Sequence, residues 1–334
     1  MTFTYTLSEP ARRLHADAII FDGHSDSMLD ILAGERAWDK DEGKGQMDLP
    51  RLRAGGITAQ VFAAFVEPSL RHDAPGQTLR VLETMHQVLD GWPADMLLAT
   101  RAGDVRRAKS EGRIAAILSM EGAEGVRTDL TLLRAFYRLG IRNIGLTHND
   151  RNLVADGVGE GRTGGGLSEF GVKLVAEMRR LGIMVDVAHL APAGVAQVFE
   201  VYDGPVVVSH GNAKAVCNHR RNLTDAQLEQ IARSGGVIGV TYVPSFIASE
   251  RADATLERLL DHVDHIVKVI GIEHVGLGSD WDGIGDPLSP AFPQHVGDTP
   301  AITEGLLRRG YREADIRKFL GENWLRVFAQ VCGS

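Results

Sequence analysis

Residues 182–211 read GIMVDVAHLAPAGVAQVFEVYDGPVVVSHG. An apolar run ends at His189, a helix-like segment follows, and a second apolar run ends at His210. Two buried strands joined by a helical crossover make one βαβ unit, in which parallel strands finish at the same end of the sheet. The pattern therefore predicts two imidazoles at one end of a parallel sheet, a way to build a metal site from residues distant in sequence.

Short runs rich in Val, Ile, Ala and Leu recur at 19–26, 57–66, 114–122 and 141–148 before this unit, and at 237–243 and 275–280 after it. With 183–189 and 206–210 they make eight expected strands, most of them closing on a His, Asp or Glu. Helical patterns with apolar residues three and four apart lie between them, as at 78–89, 130–137, 169–180, 225–233 and 256–270. Alternating strands and helices imply a parallel sheet. Eight near-continuous apolar strands fit a (β/α)8 TIM barrel better than an open doubly wound sheet, and in that α/β fold the polar strand ends converge on one face. Residues 1–334 are expected to form a single domain of this kind. The charged, Gly-containing segment 31–53 is long for a βα connection and reads as a lid or side structure; 281–300 reads as a second long active-site loop.

Composition narrows the function classes. The 334 residues are 44% hydrophobic, enough for a large core, and carry a net charge of -8 with no dense Lys/Arg run, which argues against nucleic acid or an anionic membrane as partner. No stretch approaches the roughly 20 apolar residues of a membrane span, and the N-terminal residues lack the apolar core of a signal peptide. A cytoplasmic location and small-molecule substrates are expected. Two cysteines, Cys217 and Cys332, make no disulfide framework.

The chemistry gathers at strand ends. In Asp22-Gly23-His24-Ser25-Asp26, strand alternation points His24 and Asp26 to the same face, a nucleus for a metal site; the competing reading is a polar turn or helix cap. Glu121 closes the apolar run AAILSMEG, where a carboxylate is costly to bury without a cation or donors. A carboxylate bridging two metals would answer that cost; a salt bridge is the alternative, with Glu124 as the exposed acid of the two. His24, Asp26 and Glu121 on one side and Glu121, His189 and His210 on the other give two metals three ligands each. Imidazole and carboxylate without thiolate suit zinc, with cobalt, manganese or nickel fitting similar sets.

Asp280, ending the last strand in GLGSDWDG, is a candidate general base, and Asp282 either competes with it or caps a following helix. His148 in IGLTHND could be a ligand, an oxyanion contact or a core histidine, and either Arg220 or Arg221 in HRRNLTD could clamp a substrate carboxylate. GEGRTG at 159–164 matches a dinucleotide-binding pattern but lacks a strand directly before it, so it reads as a loop. The remaining histidines, His262 among them, are assigned nothing.

Together DGHSD at 22–26, DLPRLRAGGITAQVF at 48–62, SMEG at 119–122, LTHND at 146–150, the long segment 165–190, VVVSHGNAKAVCNHRRNLTD at 206–225 and GLGSDWDG at 276–283 resemble the membrane (renal) dipeptidase family of metallopeptidases over nearly the full chain. The resemblance implies an amidohydrolase-like barrel with two zinc ions that cleaves dipeptides, often with a D-residue at the carboxyl side, some members also opening β-lactams. Carried over residue by residue, it makes His24 and Asp26 ligands of one zinc, His189 and His210 of the other, and Glu121 the bridge. His148 becomes a substrate and oxyanion contact, Arg221 the carboxylate clamp and Asp280 the acid/base; a homodimer is the family expectation. Ser25 stands where members often have Asn, His219 where Pro is common, and the loop after Asp282 differs, so substrate preference does not transfer with the core. Hydrolysis of N-acyl amino acids, lactones or β-lactams on the same barrel is the alternative, followed by a non-catalytic metal-binding barrel.

Overall fold

The computed structural model describes residues 3–334. Strand β4 (Ile114–Glu121) is buried at every position, as expected for a parallel strand covered on both faces. The other strands are β1 (Phe21–Asp22), β2 (Ala59–Phe65), β3 (Met96–Leu98), β5 (Ile141–Gly145), β6 (Met184–Asp186), β7 (Val206–Gly211), β8 (Val237–Val240) and β9 (Val275–Leu277). All pairings between them are parallel. β2 joins β4 in register from Ala59↔Ala115 to Phe65↔Glu121, and β1 joins both β2 and β9. Eight strands therefore close into a (β/α)8 barrel ringed by helices.

β3 is an addition that the residue pattern does not announce. It runs beside only the first residues of β4, outside the closed ring, and its three residues are too few to show a period. Most ring strands are also shorter than their apolar runs, β7 being the exception. β1 ends at Asp22, yet the extended path continues: Ser25 bridges Trp281, and the Asp26 N–H donates to the Trp281 carbonyl at 3.0 Å. That continuation keeps His24 and Asp26 on one face.

Helices match their amphipathic patterns closely. Asp225–Arg233 and Leu256–Ile270 are observed as expected, and 169–180 lies within Glu169–Leu181. Ser168, Thr224 and Thr255 cap these three by accepting the N–H of the third residue on. Residues 159–164 fall in and just after a short 3-10 helix, Val158–Thr163, separated from β5 by an irregular loop.

The helix Asn323–Cys332 packs at the amino-terminal ends of the strands. Its Trp324 stacks on Phe21 with ring centroids 5.7 Å apart, and its indole N–H donates to the Leu277 carbonyl at 2.8 Å. Gly23 serves this packing, since a Cβ there would lie 2.5 Å from the Trp324 ring. One end of the barrel is thus filled with aromatic side chains, and polar chemistry is confined to the other.

The two long loops tie to each other. The Asp282 side chain is 2% exposed and does not cap a helix; it accepts from Ser27 Oγ and Arg36 Nη2, both at 2.6 Å, and from the Gln46 N–H at 2.5 Å. The Val296 N–H donates to the Gln46 carbonyl at 3.0 Å. Segment 31–53, with Trp38 and Met47 buried, is therefore a strap fastened beside the site.

Candidate metal centre

His24, Asp26, Glu121, His189 and His210 come from four strand ends and meet in one place. Glu121 lies at the middle: its Oε1 is 3.0 Å from His189 Nε2 and 3.6 Å from the Nε2 atoms of both His24 and His210. His24 Nε2 is 3.4 Å from Asp26 Oδ2 and 3.8 Å from Asp280 Oδ1. Every one of these residues is buried. Glu124, the other acid near β4, is half-buried and accepts from Asn152 at 3.3 Å.

Local structure fixes how the rings face. His189 Nδ1 lies 2.9 Å from Asn149 Oδ1, an acceptor, so the proton sits on Nδ1 and the Nε2 lone pair points to Glu121. His210 Nδ1 is 2.9 Å from Ser209 Oγ, leaving its Nε2 2.7 Å from His189 Nε2. Such a hydrogen bond from the far nitrogen is the usual means of orienting a metal-binding imidazole. Asn149 was not singled out in the sequence, although a polar residue directly after His148 at a strand end was a signal.

Three of the four non-glycine residues with positive φ among the described residues sit here: His189 at 65°, Asp280 at 70° and Asp282 at 66°. Left-handed backbone at such residues is strained and collects at functional sites. Gly283 is needed beside them, because a Cβ would lie 2.3 Å from Asp26 Oδ2 and 2.5 Å from Asp280 Oδ1.

Electrostatics follow from crowding. Burial alone lowers the His24 pKa, but the Glu121 and Asp26 carboxylates outweigh it and hold it well above the usual imidazole value. Burial raises Glu121, and the charge and hydrogen bonding of His24 overcome that, keeping the carboxyl well below its ordinary range. Burial pushes Asp280 well up, opposed by His24 and reinforced by Asp26 and Glu121.

A divalent cation fits this donor set. Both ring nitrogens of His24 and Oδ1 of Asp26 are buried without a hydrogen-bond partner among the described residues. Ligand-capable atoms lie within 4.8 Å of one another in three groups: His24, Glu121 and His210; Glu121, His148 and His189; and His24, Asp26 and Asp280. His148 and Asp280, which the sequence set apart for catalysis, thus have atoms close enough to coordinate as well. Asp282, the competing candidate for that role, spends its oxygens on Ser27, Arg36 and Gln46.

A cavity of about 360 Å³ opens over the cluster, lined by Glu121, His148, Asp280, Phe65 and Phe246 among others. A neighbouring cavity of about 250 Å³ shares the His189 wall and carries Lys214, Arg220 and Arg221. Arg221 is buried whereas Arg220 is exposed. The Arg221 Nε has no partner among the described residues and its Nη2 reaches the His210 carbonyl only at 3.4 Å. His219 stacks on Phe246 at 4.4 Å, and the Arg221 guanidinium lies 5.5 Å from the same ring.

The model of the membrane dipeptidase family, peptidase family M19, matches residues 8–333. The chain belongs to the membrane dipeptidase family. It is accordingly a metallo-dipeptidase, a hydrolase with a metal cofactor. Among membrane dipeptidase relatives, dipeptidase aclJ of Aspergillus oryzae is 34% identical over 304 residues, 88% of this chain and 72% of that protein. The crystal structure of dipeptidase AC, a metallopeptidase of family M19, is 33% identical with a TM-score of 0.87, covering 95% of this chain and 99% of the other. A metallopeptidase from Rhodobacter sphaeroides, solved with a phosphinate mimic of the dipeptide L-Ala-D-Ala, is 31% identical with a TM-score of 0.86, covering 94% and 100%. No described helix of this membrane dipeptidase is long and apolar enough to cross a membrane.

Proposed function

We propose that this dipeptidase works with two zinc ions, His24, Asp26 and Glu121 holding one, Glu121, His189 and His210 the other, and that dipeptides with a D-residue at the carboxyl side are among its substrates. The observation that carries the metal reading is the placement of one Glu121 oxygen among three imidazole nitrogens, with His24 otherwise unpartnered. The substrate reading rests on the Rhodobacter sphaeroides relative and its L-Ala-D-Ala mimic.

When bound, a pair of divalent cations lowers the pKa of water and polarises the scissile carbonyl. The chain's own residues then orient the substrate and move protons. Arg221 receives the free carboxylate one residue beyond the scissile bond, which limits the substrate to a dipeptide. His148, half-buried against Phe65, contacts the carbonyl oxygen as charge builds on it. Asp280 takes the proton from the attacking water and returns it to the leaving amine, and its burial suits a carboxyl that must hold a proton in mid-reaction.

Hydrolysis of L-Ala-D-Ala, L-Ala-L-Ala, an N-acyl amino acid and a lactone, followed by HPLC with zinc-loaded and chelator-treated enzyme, tests the reading. Cleavage of L-Ala-D-Ala that vanishes with the metal is expected, with two zinc ions per chain by elemental analysis. Turnover of the L-L dipeptide alone would remove the D-residue assignment, and one zinc per chain would remove the two-metal assignment.

A further inference from the structure

Two buried carboxylates outside the proposed ligand set occupy equivalent places at two separate strand pairs. Asp22 is the last residue of β1 and Asp186 the last of β6; they are 2% and 3% exposed. Each Oδ1 accepts the N–H of the residue two ahead: His24 at 3.3 Å for Asp22 and Ala188 at 3.0 Å for Asp186. Each also accepts the N–H of a serine on the adjoining strand path, Ser279 at 2.9 Å and Ser209 at 3.0 Å. Those serines directly precede Asp280 and His210. The remaining oxygens are taken by Ser279 Oγ at 2.5 Å and Asn143 Nδ2 at 3.3 Å.

We propose that Asp22 and Asp186 are positioning residues, each clasping one half of the metal centre. Asp22 ties the His24 turn to the Asp280 turn, and Asp186 ties the turn before His189 to the backbone before His210. The inference rests on the ligand assignment above. Asp280 and His189, each the residue after a clasped N–H, are both left-handed, a conformation that persists only where the surroundings over-determine it. A carboxylate at the end of an apolar strand also needs compensation for its burial. Neither Asp has an ion pair among the described residues, so backbone N–H groups and hydroxyl or amide donors supply all of it. These bonds span 257 and 23 residues of chain, so they lock strand to strand and not merely turn to turn.

The test compares zinc-loaded wild type with Asp22→Ala, Asp186→Ala and the two Asn variants, each dialysed against graded chelator with bound metal measured by elemental analysis. Each Ala variant is expected to release one metal equivalent at about 10- to 100-fold lower chelator than wild type, the range for loss of a residue that orients a ligand. The Asn variants, which keep the Oδ1 acceptor at reduced strength, should stay within about threefold of wild type. Cobalt-substituted Asp22→Ala and Asp186→Ala should lose different bands of the visible spectrum, because different halves loosen. Folded Ala variants that retain metal like wild type, or lose identical bands, would overturn the proposal. If the Ala variants do not fold, Ser279→Ala decides: removal of the hydroxyl contact to Asp22 should loosen one equivalent about threefold or more, and retention equal to wild type overturns the clasp. A wild type that binds no metal would instead sink the ligand assignment itself.

Discussion

Replacing Arg221 by Met separates binding from stability. The side chain is 6% exposed, its Nε is unpartnered among the described residues, and its one hydrogen bond is 3.4 Å long. Burial lowers its pKa to about 10, against the pull of Asp280 and Glu121, so it stays charged at neutral pH. A bound carboxylate would supply two charge-assisted hydrogen bonds of about 1.5–3 kcal/mol each. Truncating one partner of a buried charge pair costs about 3–5 kcal/mol. At about 1.4 kcal/mol per tenfold, kcat/KM for a dipeptide should fall between about a hundredfold and a few thousandfold, chiefly through KM. The corresponding dipeptide amide, which lacks the carboxylate, should be a poor substrate for both proteins and nearly indifferent to the substitution. Because the free enzyme leaves a buried cation under-satisfied, Arg221→Met should have a Tm equal to or above wild type. Steady-state kinetics on the acid and amide, with a thermal melt, make the assay. Equal losses on acid and amide, or a clear fall in Tm, would show Arg221 to be structural and refute the clamp.

Asp280→Asn should lower kcat by about 10²- to 10⁴-fold with metal content unchanged, read by kinetics and elemental analysis; loss of metal in parallel would make Asp280 a ligand. Asp282→Ala breaks a pair with Arg36 whose side chains are 2% and 3% exposed, and should cost about 3–5 kcal/mol in denaturant unfolding while opening residues 34–48 to limited proteolysis. His262 is fully buried, its Nδ1 accepting from the Ala213 N–H at 3.1 Å and its Nε2–H donating to the Ile247 carbonyl at 3.0 Å. Burial depresses its pKa to about 4, so its stabilisation is complete above the unfolded value near 6.5 and is lost as pH falls toward 4. About 3 kcal/mol is at stake, and His262→Gln should show a correspondingly flatter stability profile between pH 6.5 and 4 than wild type at equal metal content.

Sequence pattern reaches as far as local physics does. The run ending at Glu121 announces a strand buried on both faces, and the five helical patterns fall within about four residues of the observed ends, since period and capping act over one or two turns. β3 escapes because three residues carry no period, and Asp282 reads as a cap because its partners Ser27, Arg36 and Gln46 are more than 230 residues away. Asp186 escapes as well, because the clasp it makes with Ser209 joins two strands and leaves no local pattern in the run 183–189.

The amino-acid sequence by itself determined the alternation that builds the barrel and the strand ends on which imidazoles and carboxylates would appear, because both depend on spacing along one strand or helix. Tertiary structure alone decided that one Glu121 oxygen faces three imidazoles, that Asn149 orients His189, and that Asp280 faces the cluster while Asp282 fastens a loop. Those outcomes depend on strand register and barrel closure, which bring together groups hundreds of residues apart, and no local pattern encodes a distance across the barrel.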